Sequence, residues 1–514
     1  MHHFTITIHS LLLLLLLSLL HACSGADDPA PTPSGKVHHF VNLTVQVASS
    51  RSSRGTDYSG PGVSRSSVAE DEGYPTVTPE ERENAVSSVT VFIYDIGADI
   101  NDDSSAEHTI VRAFNWKVTP TASSSSSGNV SYSTGSRALP DDIQEGSYKL
   151  LVVANADLSH LDGTSLEMVR EYIHEGSAFT VPVNDAYQDF NPNRANNFIM
   201  ASIEEVSLAL EPSFGPIDGS GAKKGSEDNP YTPDDPITIE RLAARIDFAV
   251  DPTAYHEVKD ATTGKITDHW YEYPVTDDDG RKVGTFRLKY VVPFNLTQQQ
   301  YLFKHTTVGT NTAQVNVPGR ETRESDGTGS IRATNYVLDP MTLKQGNPSS
   351  MVGTYYVPYL YHENLGEDQD NLLSRFQVTT NDNPNLVSWT NSENKSLKYA
   401  IIGYSGENAV TVDLQQSTNP APSSMLPGIR FYGTYHVDGS DASTDRDVPF
   451  DYLIRHSMTS GTLDASQPMA YGIVRNNIYR VYIRSIHRLK DDFYIELQVA
   501  VLPWQYYKHS DIYM

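Results

Sequence analysis

Strict alternation of apolar and polar residues is the clearest pattern near the start of the chain. Residues 41–47 read Val-Asn-Leu-Thr-Val-Gln-Val. A period of two residues predicts a β-strand with one face buried. The apolar residues that would share this face are Val41, Leu43, Val45 and Val47. The segment that follows, 48–84, has no periodicity and predicts a long loop.

Short apolar or alternating runs recur along the rest of the chain between turn residues. They predict strands at 89–94, 148–153, 237–239, 244–250, 283–290, 355–360, 397–402, 429–435, 478–486 and 493–501. Asp278-Asp279-Gly280 precedes one of these runs and indicates a hairpin turn. The pattern as a whole predicts an all-β fold of two tandem antiparallel β-sandwich domains.

One segment of the N-terminal half has helical rather than alternating spacing. Leu166, Val169, Arg170 and Ile173 recur every three or four residues, and Thr164 or Ser165 can cap the first turn. We therefore expect one short helix in the N-terminal domain. Residues 211–235 are rich in Gly, Pro, Asp and Ser, which predicts a junction, with the second domain beginning at residue 237.

The N-terminus has the pattern of an export signal. The apolar run Leu11–Leu20 is about half the length needed to span a bilayer, so it predicts a signal peptide over residues 1–22. The run ends in Leu20-His21-Ala22-Cys23, which resembles a bacterial lipobox. We expect Cys23 to be the lipidation site; the alternative is an ordinary secretory signal followed by an incidental cysteine.

Composition narrows the function classes. The 514 residues include 38 Lys and Arg against 64 Asp and Glu, so the formal net charge is −26, which argues against nucleic acid as a partner. The single cysteine excludes an intramolecular disulfide. Asp277-Asp278-Asp279-Gly280 lacks the later Glu of a calcium loop and predicts a turn. No catalytic or metal-binding motif is present in the sequence, so we expect neither enzymatic activity nor a cofactor.

Two further segments suggest processing and assembly. Arg51, Arg54 and Arg65 lie among small residues after the first strand, where an Arg-specific protease could cut an extended loop; the alternative is a solvated loop without this role. At the other end, the alternating run 495–501 is followed by Pro503 and an aromatic tail. Such a tail must pack on its own domain or add a strand to a partner.

Three motifs resemble the fimbrillins, the type V pilins of Bacteroidales. They are 473–481 (Ile-Val-Arg-Asn-Asn-Ile-Tyr-Arg-Val), 499–504 (Val-Ala-Val-Leu-Pro-Trp) and 239–245 (Ile-Glu-Arg-Leu-Ala-Ala-Arg). The lipobox and the arginines after the first strand match the layout of this family. The resemblance is greatest to the structural subunits of short fimbriae, and it implies sandwiches of the transthyretin-like type.

The resemblance also implies a maturation pathway. The precursor would be a palmitate-bearing outer-membrane lipoprotein that an Arg-specific protease cuts after Arg54, or alternatively after Arg51. The cut would release a lipidated propeptide, 23–54, with the strand Val41–Val47, and leave domains at 55–236 and 237–514. The C-terminal segment of another subunit would fill the exposed groove by donor-strand exchange. The donor residues expected on this basis are Val499, Val501, Trp504, Tyr506 and Tyr507.

The expected function is therefore that of a structural subunit of a cell-surface fimbrium that supports adhesion and biofilm formation. Its expected partners are other fimbrial subunits, including tip and anchor subunits, the protease, outer-membrane lipid in the precursor, and a host or bacterial surface receptor. The alternatives are a tip or anchor subunit, or a monomeric glycan-binding surface lipoprotein in which some of the 30 tyrosines stack on sugars.

Overall fold

The computed structural model describes most of the N-terminal half and the strand framework of the C-terminal half. The described residues are 39–47, 81–100, 103–121, 131–176, 178–179, 195–211, 221–297, 299–308, 324–325, 331–332, 335–338, 387–390, 396–408, 426–454, 472–489 and 492–503. The strand predicted at 355–360 lies outside these residues.

The N-terminal half has short helices between its strands. The strands are Phe40–Val41 (β1), Thr44–Val47 (β2), Ser88–Asp95 (β3), Arg112–Lys117 (β4), Thr119–Thr121 (β5), Ser131–Ser133 (β6), Arg137–Ala138 (β7), Gly146–Ala154 (β8), Ile173–His174 (β9), Met200–Ser202 (β10), Val206–Leu210 (β11) and Ile237–Arg241 (β12). The α-helices are Glu81–Asn84 (α1), Asp103–His108 (α2) and Leu166–Arg170 (α3), and Ser159–Leu161 is a 3-10 turn.

The C-terminal half has no α-helix among its described residues. Its strands are Ala244–Val250 (β13), Tyr255–Lys259 (β14), Ile266–Thr276 (β15), Lys282–Phe294 (β16), Gln300–Tyr301 (β17), His305–Val308 (β18), Glu324–Ser325 (β19), Ile331–Arg332 (β20), Asn335–Leu338 (β21), Val387–Thr390 (β22), Ser396–Ser405 (β23), Gly428–Val437 (β24), Arg446–Leu453 (β25), Asn477–Leu489 (β26) and Asp492–Pro503 (β27). Pro252–Ala254 and Ala442–Thr444 are 3-10 turns.

The first large sheet has the strand order β4–β3–β8–β10–β12–β2–β6–β5, with β11 bonded to β8. Most neighbours are antiparallel, but β2 runs parallel to β12, with Val45 opposite Ile237. A parallel pair is possible here because no hairpin joins the two strands; most of the N-terminal half of the chain lies between them. The sheet is therefore mostly antiparallel, as predicted, with one parallel pair at β2 and β12.

The second large sheet has the order β22–β23–β13–β26–β15–β16–β24–β25, with β14 bonded to β15 and β27 to β26. β26 is parallel to both β13 and β15, which lie along one of its edges. Its other edge pairs antiparallel with β27 from end to end. The hairpin between β15 and β16 is confirmed: Asp277 Oδ1 accepts hydrogen bonds from the amides of Asp279 (3.0 Å) and Arg281 (2.8 Å).

The described residues form two apolar cores. The first core contains residues of β2, β3, β8 and β12, and the second contains residues of β13, β16, β24 and β26. The all-β fold predicted from the sequence is confirmed. So is the helix at Leu166: the Ser165 side chain caps it by accepting from the Met168 amide at 3.2 Å. The structure adds α1 and α2, which are too short to leave a helical period in the sequence.

The change from one sheet to the other does not fall where the sequence predicted it. Residues Ile237–Arg241, assigned to the second domain, form β12 and pair with β10 and β2 of the first sheet. The second sheet begins with β13 at Ala244, so only Leu242 and Ala243 connect the two sheets, and both are fully buried. The sequence pattern identified both strands correctly, but it carries no information about which sheet a strand joins.

Candidate functional site

The first-strand segment, residues 39–47, lies in the interior of the first sheet. β2 has β12 along one edge and β6 along the other, where Val45 is opposite Tyr132. β1 pairs with β7, and Val41 also forms a bridge to Tyr231. The segment is therefore hydrogen-bonded along both edges, as a central strand is. We call the space that it fills, between β12 and β6, the first-strand groove.

The side chains of this segment alternate in burial as the sequence predicted. Val41, Leu43 and Val45 are fully buried and Val47 is 1% exposed, whereas the residues between them are half-buried. Burying a side chain of this size contributes roughly 1.5–3 kcal/mol, so the four together contribute on the order of 6–12 kcal/mol. All four predicted residues of the removable strand thus contribute to the first core.

Side-chain hydrogen bonds fix the register where β1 and β2 meet. The Leu43 amide donates to Thr134 Oγ1 at 3.0 Å, and the Thr134 amide donates back to the Leu43 carbonyl at 3.0 Å. Ser133 Oγ donates to Asn42 Oδ1 at 2.8 Å. A strand in this groove therefore meets polar partners at one defined position along its length.

The end of the junction segment closes over β1. The Phe40 amide donates to the Gly225 carbonyl at 2.9 Å, and the Tyr231 amide donates to the Phe40 carbonyl at 2.8 Å. Gly225 has φ +87°, and a Cβ there would lie 2.4 Å from the Tyr231 ring, so glycine is required. The sequence indicated only a flexible junction here; Gly225 and Tyr231 are contacts that it did not predict.

His39 is enclosed at the beginning of the segment. It is 7% exposed, and its ring lies 5.9 Å from that of Tyr231. Burial lowers the pKa of His39 below its ordinary value, outweighing the opposite effect of Glu145. The contact between this end of the segment and the junction therefore favours the neutral imidazole.

The next described residues, from 81 onward, lie in a different chemical setting. α1 directs Glu83 into a buried group of charges that we call the junction cluster, which also contains Arg241, Arg245, Asp247 and Arg480. All five residues are at most 1% exposed. They come from α1, β12, β13 and β26, so the cluster joins the start of the retained chain to both sheets.

Hydrogen bonds satisfy the junction cluster from several sides. Arg245 Nη1 donates to Glu83 Oε2 at 3.0 Å, and Arg480 Nη2 donates to Asp247 Oδ2 at 2.7 Å. Tyr404 Oη donates to Glu83 Oε1 at 2.5 Å. Arg241 donates to the Glu83 carbonyl at 2.8 Å. Buried ions that are paired in this way are costly to break individually, because each loss leaves an uncompensated charge.

The acidic residues of the cluster affect the pKa values of its arginines differently. Burial lowers the pKa of Arg241 to about 10, even though Glu83 opposes the effect. Burial also acts to lower the pKa of Arg245, but Asp247 and Glu83 together raise it well above its ordinary value. Arg245, which lies between the two carboxylates, is thus the electrostatic centre of the cluster.

The C-terminal end of the described chain is the edge strand β27. Val499 lies opposite Val481 and Val501 opposite Tyr479, so these two predicted donor residues pair with β26 of their own chain. Among the described residues, β27 is bonded only to β26. The other expected site residues, Cys23, Arg51, Arg54, Trp504, Tyr506 and Tyr507, lie outside the described residues.

Other chemistry is sparse in the part of the chain that the structure describes. No group of three or more His, Cys, Asp or Glu residues there is arranged to hold a metal ion. None of the described helices is long and apolar enough to cross a membrane.

Comparison with known proteins gives weak similarities to fimbrial and adhesion proteins. No family model matches the chain, and no curated protein matches it. Among solved structures, the chain is similar to the C-terminally truncated tip fimbrial protein of Porphyromonas gingivalis, with 12% identity and TM-score 0.34 over 91% of this chain and 100% of that one.

A protein of Parabacteroides distasonis described as a cell adhesion protein matches with 12% identity and TM-score 0.40, over 91% of this chain and 100% of that one. A protein of Bacteroides thetaiotaomicron described as an adhesin matches with 8% identity and TM-score 0.28, over 93% and 100%. All three neighbours are described as fimbrial or adhesion proteins.

Proposed function

We propose that this chain is a structural subunit of a cell-surface fimbrium, supporting adhesion and biofilm formation, and not an enzyme. Its precursor carries lipid on Cys23 and is anchored to the outer membrane. An Arg-specific protease cuts after Arg54, or after Arg51, and the first-strand segment leaves with the lipid. A neighbouring subunit then fills the first-strand groove, and repetition of this step builds the fimbrium.

The observation that carries this proposal is the position of the first-strand segment. A segment that is hydrogen-bonded on both edges and buries four apolar side chains is ordinarily an integral part of a fold. Here the chain on its C-terminal side is a long segment containing Arg51 and Arg54 among small residues. A cut in that segment makes a central strand separable from the protein that it completes.

Removal of this strand would leave backbone groups unpaired and apolar surface exposed, so that binding of a replacement strand is favourable. The amides and carbonyls of β12 and β6 that faced β2 would lose their partners, and buried polar groups of the backbone are almost always paired. The apolar surface under Val41, Leu43, Val45 and Val47 would meet water. An incoming strand restores both the backbone hydrogen bonds and the burial of apolar surface. Assembly therefore needs no nucleotide hydrolysis.

The chain that remains after the cut keeps contacts that do not depend on the first-strand segment. Glu83 follows the cut region by about thirty residues of sequence and is held in the junction cluster by Arg245 and Tyr404. Tyr132 in β6 also donates to the Asn84 carbonyl at 2.8 Å. Glu83 and Asn84 would therefore stay held beside the open groove.

Donation from one subunit to the next is a head-to-tail contact, because the groove and the donor lie on different parts of the chain. Such contacts do not close and therefore give filaments. The partners that follow from this scheme are further copies of the chain, the tip and anchor subunits at the two ends, and a surface receptor for the assembled fimbrium.

Limited proteolysis tests this proposal directly. The full precursor is treated with an Arg-specific protease, the new N-terminus is sequenced, and the product is run unboiled on a denaturing gel. We expect a new N-terminus at Gly55, or at Ser52 for the alternative cut, and a ladder of stable oligomers. The uncut precursor should run as a monomer.

The matched control is the triple variant Arg51→Ala, Arg54→Ala, Arg65→Ala, which removes every arginine of the segment 48–80, with Arg65→Ala alone as a variant that leaves both expected cuts intact. The triple variant should stay monomeric under the same treatment, whereas Arg65→Ala should form the ladder. A wild-type protein that is cleanly trimmed but remains monomeric would contradict the proposal. An uncut precursor that stays monomeric and binds immobilised glycans would favour the glycan-binding alternative.

A further inference from the structure

We infer that residues 221–231, which we call the strap, retain the first-strand segment after the cut and open only when that segment leaves. The inference rests on the proposed function and goes further, because it concerns the step between the cut and the departure of the strand. A subunit that has been cut would stay attached to its lipid anchor, through the contacts of the first-strand segment, until the strap opens.

The strap is hydrogen-bonded to one edge of β1. The Phe40 amide donates to the Gly225 carbonyl at 2.9 Å, and the Tyr231 amide donates to the Phe40 carbonyl at 2.8 Å. The Asn42 amide donates in turn to the Tyr231 carbonyl at 2.8 Å. The opposite edge of β1 pairs with β7. The strap therefore supplies one of the two neighbours that make β1 an internal strand.

The side chain of Tyr231 anchors the strap. Its ring lies 5.9 Å from the ring of His39, and the Lys224 ammonium lies 5.6 Å from its centre. Its hydroxyl donates to the Glu211 carbonyl at 2.8 Å, and the residue is only 3% exposed. The first-strand segment thus provides part of the enclosure of this ring, so departure of His39 would open one side of the ring to water.

The strap has little apolar surface with which to hold itself in place. It reads Gly-Ala-Lys-Lys-Gly-Ser-Glu-Asp-Asn-Pro-Tyr, and its two buried residues are Gly225 and Tyr231. The Gly225 amide donates to the Asn229 carbonyl at 2.7 Å, which shapes a turn inside the strap but does not join it to the sheet. Segments with few buried apolar contacts open at low free energy. We therefore expect the strap to lose its ordered position when β1 is absent.

Opening of the strap leaves the wall of the first-strand groove in place. The strap continues through residues 232–236 into β12, where Ile237 and Ile239 are fully buried beside β2. The connecting residues include two prolines, and four of the five are exposed. β12 also pairs with β10 on its other edge, so it keeps a neighbour after β2 has left. The strap can therefore move about this connection while β12 stays in the sheet.

The position of the strap relative to the anchor gives it a role in release. No arginine precedes Arg51, so residues 39–47 stay covalently joined to Cys23 after the cut. The cut lies beyond the end of β2, so it breaks none of the hydrogen bonds that hold β1 and β2. The rate at which the subunit leaves its anchor is then set by these contacts. Each backbone hydrogen bond to the strap that is lost should speed the departure by roughly two- to tenfold.

Hydrogen exchange of the uncut precursor tests the strap without any proteolysis. In Tyr231→Ala, the amides of Phe40 and Asn42 should exchange roughly tenfold faster than in the wild type, because their acceptors lie in the strap. The Leu43 amide, whose acceptor is the Thr134 hydroxyl, should be accelerated clearly less. Equal acceleration of all three amides would show a general loosening of the domain and would overturn the inference.

Release from an immobilised precursor tests retention after the cut. Biotin is attached to Cys23, the single cysteine, the precursor is bound to streptavidin beads, and an Arg-specific protease is added. The wild type should be cut quickly but leave the beads slowly. Tyr231→Ala should be cut at the same rate and leave roughly tenfold faster. Tyr231→Phe, which keeps the ring beside His39, is the matched control and should leave at nearly the wild-type rate.

The outcomes separate the strap from the proposed function. Equal release of the wild type and Tyr231→Ala would overturn the inference and leave the proposed function intact, because the strand would still depart. Cut protein that never leaves the beads in any variant would contradict the proposed function, and the exchange rates of the uncut precursor would still decide the role of the strap. If thermal unfolding shows that Tyr231→Ala does not fold, Phe40→Pro removes the donor to Gly225 from the other side of the contact and should accelerate release in the same way.

Discussion

The two structures that border the segment 48–80 are held by opposite kinds of interaction. Before it, β2 contributes Val45 and its neighbours to an apolar core and satisfies backbone groups on both sides. After it, α1 contributes Glu83 to a buried cluster of three arginines and two carboxylates. Val45 and Glu83 are both fully buried, and both contact residues that are distant in the sequence.

The difference lies in what can replace each of them. Apolar burial is non-directional and backbone hydrogen bonds are the same for every residue, so a second strand with the same pattern can do what β2 does. Glu83 is matched to particular guanidinium and hydroxyl groups, and only its own geometry satisfies them. In the proposed scheme, the segment before the cut region can therefore be exchanged, whereas the segment after it cannot.

Loss of the charged anchor should have the largest effect. Glu83→Ala leaves Arg245 with one carboxylate fewer in a fully buried site. We expect the free energy of unfolding of the precursor, measured by urea titration, to fall by about 3–5 kcal/mol. Arg82→Ala, on the partly buried side of the same helix, should cost clearly less. Equal costs for the two variants would contradict the role given to the cluster.

Truncation within the first strand should have the next largest effect, and only before trimming. Leu43→Ala removes a fully buried side chain and should destabilise the precursor by about 2–5 kcal/mol. The half-buried neighbour Thr44→Ala is the control and should cost little. After proteolysis, when the strand has left, the wild type and Leu43→Ala should unfold identically; a difference that persisted would show that the strand is retained.

Substitution of Gly225 tests the packing of the junction segment against β1, and its expected effect on stability is smaller. Gly225→Ala combines φ +87° with a Cβ that overlaps the Tyr231 ring, and we expect a loss of about 1–3 kcal/mol in the same titration. Gly221→Ala is a matched control, because it has φ +89° with open space around it. If Gly225→Ala lowers the free energy of unfolding more than Gly221→Ala does, the difference measures the overlap with Tyr231. Equal losses would show that backbone strain alone accounts for the effect.

The smallest expected effect is a dependence on pH at the start of the first strand. Burial lowers the pKa of His39 in the folded precursor, so the folded state binds fewer protons than the unfolded state just below the ordinary histidine value of about 6.5. The contribution of His39 is complete above that value and is lost as the pH falls towards the folded pKa.

Urea midpoints measured from about pH 7.5 to about pH 5.5 test this, across the range where histidine titrates. The wild type should lose more stability on acidification than His39→Phe, which keeps an aromatic ring beside Tyr231 but cannot titrate. Parallel curves for the two proteins would remove His39 as the source.

The sequence predicted the buried apolar residues of the first-strand segment, but it did not predict the junction cluster. Alternation over 41–47 has a direct physical cause, the period of a half-buried strand, and the structure buries the four residues it named. Glu83, Arg241 and Asp247 look like ordinary surface charges in the sequence. Only the tertiary fold brings them together from different elements, and no local period records that.

The assignment of β12 to the second domain failed for a related reason. Ile237-Thr238-Ile239 predicts a strand, which exists, but its partners β10 and β2 are chosen by packing across the whole N-terminal half. The composition change at 211–235 marks a segment that folds back over β1 through Gly225 and Tyr231, and not the boundary itself.

The short connection through Leu242 and Ala243 has a mechanical consequence. Tension on a strand held in parallel with β12 acts along the strand axis, so its hydrogen bonds are stretched together and not broken one after another. β12 passes this tension through two fully buried residues into β13, which lies inside the second sheet between β23 and β26. A pull on the molecule is thus carried by shear from sheet to sheet, with no slack linker to extend first.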